Sequence, residues 1–193
     1  SVRHRVIQAQ VRRYLTAVAA LMVFWIAVRT VKYFAAYDPG VARQLWYLYY
    51  VPMLFIPLLA VSISMSMGKP EDFRLKPWSA LFYIPTAVLA LLVLTNDLHQ
   101  WVFTFPPDAA VWTDHSYGYT VGYWLVLSWM TLCVLTALVV MLMKCRVPRS
   151  RTVLWLPIVP MILAAAYAAA IVCRVRAVHF IMGDVTVSMC LFF

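Results

Sequence analysis

Apolar residues fall along this chain in blocks of about 20 separated by short polar stretches, the pattern of helices that each cross a bilayer. The blocks predict spans at Tyr14 to Phe34, Gln44 to Met67, Trp78 to Thr95, Val121 to Met143 and Thr152 to Cys173. A sixth begins at Asp184, after Gly183, and is still apolar at Phe193. The expectation is an all-α, polytopic transmembrane helix bundle with five complete spans and the start of a sixth. The spacers are short enough to make neighbouring helices antiparallel, so residues 1–193 read as a single domain. A helix that stops in mid-span predicts a fragment.

The polar breaks add detail. Asp38-Pro39-Gly40 is a turn signal, and Gly68 to Pro77 is a charged turn. Pro52, Pro57, Pro85, Pro157 and Pro160 sit inside apolar blocks and predict kinks, since proline removes a helical hydrogen bond. The third block ends in a polar knot, Thr95-Asn96-Asp97-Leu98-His99-Gln100. From Asp97 to Thr120 runs the longest candidate loop, with three aspartates, six aromatic residues from Trp101 to Tyr119 and no lysine or arginine. So aromatic a loop is expected to fold back over the mouth of the bundle as a lid.

Composition agrees with the pattern. The chain is 65% hydrophobic and 12% charged, far from the balance of a soluble domain. Its net charge of +9 marks topology instead of nucleic acid, because the basic residues gather at the ends of apolar blocks. Eleven of the sixteen lysines and arginines lie in the amino-terminal segment, the Gly68 to Pro77 turn and the Lys144 to Arg151 turn. Those segments are expected in the cytoplasm, and the acidic aromatic loop outside. Cys133, Cys145, Cys173 and Cys190 form no CxxC pair and read as buried thiols.

The run from Gln44 to Phe105 resembles a known family. An aromatic helix start, LWYLYYVPMLFIPLL, leads to YIPTAVLALLVLTNDLHQWVF, which ends in a Thr-Asn-x-Leu-His signature at Thr95, Asn96, Leu98 and His99. This is similar to the seven-transmembrane sensor region at the amino terminus of bacterial histidine kinases. Gly183-Asp184-Val185-Thr186 resembles the start of that family's last helix. The resemblance implies that the spans here match the family's second to seventh, with the first helix and the kinase module missing. It implies a homodimer in the bacterial cytoplasmic membrane, reading an extracytoplasmic ligand for a two-component system.

Candidate chemistry centres on the knot. On a helix Thr95 and His99 share a face, as do Asn96 and His99, while Asp97 points elsewhere. One reading is a polar helix end with side chains bonding freed backbone groups. The other is a ligand or proton sensor, using Thr95, Asn96, Asp97, His99 and Trp101 under the lid. Arg29 and Lys32, three residues apart, either snorkel to the interface or form a cationic wall for an anionic ligand, with pairing to Asp97 or Asp184 expected in that case. Asp184 reads either as an intramembrane acid or, after Gly183, as the N-cap of the last helix. His99, His115, His179, Asp97 and Asp114 offer metal donors, but at no compact spacing, so no metal or other cofactor is expected. No phosphate loop, catalytic triad or metalloprotease helix appears, so the chain by itself is not expected to be an enzyme. The rival reading is a fragment of a small transporter or channel, with the prolines and charges lining a pathway.

Overall fold

The computed structural model describes residues 9–34, 38–66, 77–106 and 117–144. The spans expected at Thr152 to Cys173 and from Asp184, together with His115, Asp114, His179 and Asp184 themselves, lie outside the described residues.

Helix α1 covers Ala9–Phe34 and begins five residues before the expected span. Helix α2 covers Pro39–Leu48 and α3 covers Tyr50–Ser66. Together they form the second block, and the reason for its early start is local. Asp38 is an N-cap, its carboxylate accepting from the Gly40 and Val41 amides at 2.8 and 3.4 Å, with Pro39 at the first helical position. Both features favour initiation at that point. The turn signal read from Asp38-Pro39-Gly40 is therefore a helix start. The ladder breaks at Tyr49, three residues before Pro52, whose ring nitrogen offers no hydrogen to the Leu48 carbonyl.

Pro85 acts the same way on the third block. A 3-10 turn at Pro77–Phe82 precedes helix α4 at Tyr83–Leu94, and Pro85 falls in the first turn of α4, where its missing donor costs least. A one-turn helix, α5, covers Asn96–His99, and α6 covers Val121–Lys144. Three stretches are long and apolar enough to cross a membrane: Gln10–Phe34, Pro39–Ser66 and Val121–Lys144. Ala80–Leu94 is apolar but shorter.

Helix α3 is the centre of the packing, touching α6, α1 and α4. Its buried serines return their hydroxyls to their own helix, Ser62 to Leu58 O, Ser64 to Val61 O and Ser66 to Ser62 O, so they enter the bundle without unpaired groups. Trp129 of α6 donates to the Thr86 hydroxyl of α4 at 2.8 Å. At the end of the bundle away from the knot, the Lys144 ammonium donates to Ser64 O and Met65 O at 2.8 and 2.6 Å. A cation there caps the negative end of α3.

The expected lid is present in the described part of the loop. Phe103–Thr104 (β1) pairs antiparallel with Gly118–Tyr119 (β2), with Phe103 opposite Tyr119. This strand pair is the one departure from helix among the described elements.

Candidate functional site: the knot beneath the lid

The knot forms because α4 has no apolar residue left to continue it. Thr95 turns its hydroxyl back to Leu91 O at 2.8 Å, a bond that competes with the helical ladder. The chain makes one more turn and leaves through Gln100 in the left-handed region, at φ 50°. That exit aims Trp101 to Thr104 back across the helix ends.

Asn96 is completely buried and fully paired. Its Oδ1 accepts from the amides of Val102 and Phe103 at 2.9 and 3.0 Å. Its Nδ2 donates to Phe103 O at 2.9 Å and to the Tyr47 hydroxyl oxygen at 3.2 Å. An amide side chain has this capacity and no more within such a site. Asn96 thus replaces a strand partner for the incoming lid. The burial carries no desolvation penalty left unmet.

Asp97, on the other side of the turn, faces α2. Its Oδ1 accepts from the Tyr47 hydroxyl at 2.7 Å, and its Oδ2 accepts from Gln44 Nε2 at 2.7 Å and an Arg43 Nη at 3.2 Å. Arg43 Nε lies 3.1 Å from Oδ1. That N–H is buried, yet it does not point at the carboxylate closely enough to make a hydrogen bond. The expected pairing of Asp97 with Arg29 or Lys32 is corrected here. Arg43 is the partner because α2 starts at Pro39, which puts Arg43, Gln44 and Tyr47 on one face beside the knot. Arg29 instead lies over the Tyr33 ring at 5.9 Å, and the Lys32 ammonium over the Tyr49 ring at 5.8 Å.

His99 closes the turn on itself. The Trp101 amide donates to Nδ1 at 2.9 Å, which assigns the ring proton of the neutral imidazole to Nε2, 3.2 Å from the Thr95 hydroxyl. Thr95 and His99 therefore meet as the spacing requires. Asn96 does not join them, since its side chain is directed inward. Trp101 is largely exposed and packs edge-on to His99, with ring centroids 5.8 Å apart.

Sequence reasoning treated two groups as background that belong to the site. One is the triplet Arg43, Gln44 and Tyr47. The other is Phe103, a wholly buried ring that the lid inserts among Trp46 (4.5 Å between centroids), Tyr50 (5.4 Å), Tyr123 (5.8 Å) and Tyr117 (5.9 Å). Aromatic contacts at these separations add to the area they bury. A cap signal at Asp38 combined with helical spacing was the clue to the triplet; nothing in the sequence singled out Phe103 among the lid aromatics. Helix α6 closes the far side. Its Gly122 amide donates to Trp101 O at 3.0 Å, and the Thr120 hydroxyl bonds the same carbonyl.

No cluster of three or more metal-ligating side chains occurs among the described residues. What the site offers is a fixed set of donors and rings at one end of a helix bundle.

The whole chain, residues 1–193, matches the family model described as the N-terminal 7TM region of histidine kinase. The protein belongs to that family, and is accordingly a membrane protein of sensor signalling. No curated protein and no solved structure matches it.

Proposed function

We propose that this chain is the signal-input region of a histidine kinase-like receptor in the bacterial cytoplasmic membrane. Five complete spans and the start of a sixth form one domain within the lipid bilayer. The amino-terminal segment lies in the cytoplasm and the knot outside. An extracytoplasmic ligand engages the accessible part of the knot, the exposed Trp101 with the half-buried His99 and Asp97 side chains, beside the cations Arg29 and Lys32. Asn96, wholly buried with four bonds, acts by holding the lid, and Thr95 by closing the turn. The chain is not itself a catalyst. It acts as a homodimer whose helices bias a cytoplasmic output module, and the bias is limited to the ligand's differential affinity for the two packings. Nucleic acid has no part in this reading.

The observation that carries it is the convergence of α2, α4 and α6 on one lid. Asn96 and Asp97 bind the lid and α2, and Gly122 and Thr120 bind the lid to α6. A displacement of the lid therefore reaches three helices at once.

The outward placement is tested by cysteine labelling. Leu98 is 86% exposed at the knot. Leu98→Cys in intact cells should react with a membrane-impermeant maleimide added outside, above the wild-type background. Labelling only after the cells are opened would refute the reading, because no external ligand would meet the knot.

A further inference from the structure

The geometry points to Arg43, Gln44 and Tyr47 as a receptor for a carboxylate, occupied in this state by the chain's own Asp97, which a carboxylic-acid ligand displaces. This deepens the proposed function and rests on it for the ligand's arrival from outside.

Three donors from little more than one turn of α2 meet a single carboxylate: a guanidinium, a primary amide and a phenol. A guanidinium prefers a carboxylate in its own plane, with two parallel N–H···O bonds. Asp97 does not achieve this. It receives an Nη hydrogen bond, but the buried Nε–H at 3.1 Å is misaligned and has no hydrogen-bond partner. A buried donor left this way calls for a physical reason. The tether and the other two donors supply one. Asp97 is carried on a four-residue helix and its two oxygens are held by Tyr47 and Gln44 at 2.7 Å each, so turning the carboxylate into the guanidinium plane would lengthen those contacts. A free carboxylate has no such tether and would take both hydrogens.

The site is also reachable. The side chains of Arg43 and Asp97 remain 32% and 27% exposed. The Phe105 ring lies under the guanidinium at 5.2 Å, giving an apolar wall for the rest of an acid. Since Asp97 is tethered at high effective concentration, a simple carboxylate does not displace it, and the natural ligand must add contacts of its own.

Removing the tethered acid exposes the receptor. In Asp97→Ala the lost group is one carboxylate, which formate replaces in size and charge. The full chain in detergent is melted in sodium formate and in sodium chloride of equal ionic strength, at roughly 100 mM. Formate should raise the melting midpoint of Asp97→Ala by about 2–5 °C over chloride. It should leave wild type and Asp97→Ala/Arg43→Ala unmoved. Asp97→Ser, whose hydroxyl can still take the Tyr47 proton, serves if the alanine variant does not fold. Equal midpoints in formate and chloride for the folded variant would overturn the proposal, as would an equal shift in the double variant. Neither result touches the sensor reading, which fails instead if formate binds Asp97→Ala but leaves histidine phosphorylation of the full-length gene product unchanged.

Discussion

Replacing Asn96 with alanine removes the side chain that stands in for a strand beside the lid. Two buried amides, of Val102 and Phe103, lose their acceptor, and Phe103 O loses its donor. Each buried backbone group left unpaired costs about 1–3 kcal/mol, and water at the bundle end recovers some of that for the groups it reaches. The expected loss is about 2–5 kcal/mol. For a chain of this size that is roughly 5–15 °C in melting midpoint. Asn96→Asp should fare little better, because its second oxygen would face Phe103 O. The assay is thermal unfolding in detergent at one fixed scan rate, with tryptophan emission as a second readout of lid release, since Trp101 sits in the released segment. Leu98→Ala, at an exposed neighbouring position, is the control. If Asn96→Ala melts within about 1 °C of wild type with unchanged emission, the lid is not held by this side chain and the account of the site is wrong.

Two further substitutions test the backbone around the knot. A Cβ on Gly122 would lie 2.6 Å from Trp101 O, a backbone atom that cannot swing away, so Gly122→Ala should cost about 1–3 kcal/mol in thermal unfolding. The same change at Gly118 meets only the Thr104 hydroxyl, which can rotate, and should cost clearly less. Gln100→Gly should raise stability by about 0.5–1 kcal/mol in the same assay, because the native φ of 50° is strained for glutamine and free for glycine.

The sequence was most informative where apolar blocks met punctuation. Helices α1, α3, α4 and α6 fall where hydrophobicity alone puts them, and the Thr95–His99 contact follows from helical spacing. The boundaries moved where cap and proline chemistry acts over one turn: α2 begins at an Asp-Pro start, and the α-helical part of the third block waits until Tyr83. The site was legible as a location and less so as a set of partners. Pairing of Arg29 or Lys32 with Asp97 or Asp184 is what a cationic wall at one membrane face suggests, because opposite charges attract in any sequence account. The choice of Arg43 depends on the rotation of α2 relative to α4, which packing sets. Asn96 was legible as a side chain that bonds freed backbone groups, but not as a buried one. Its burial follows from the lid's path, and that path depends on a left-handed residue that glutamine does not advertise.

The central claim is that the knot's grip on α2 sets the state of a cytoplasmic kinase. The most direct measurement is histidine phosphorylation of the full-length gene product in lipid nanodiscs, comparing wild type with Arg43→Ala and Asp97→Asn. Both variants weaken the contact between α2 and the knot and leave the four bonds of Asn96 to the lid and Tyr47 untouched. The account predicts that both shift the phosphorylation rate in the same direction, by about 5-fold or more, as a change of roughly 1–3 kcal/mol in coupling requires. Rates equal to wild type in two folded variants, or a product that forms no phosphohistidine, would contradict it.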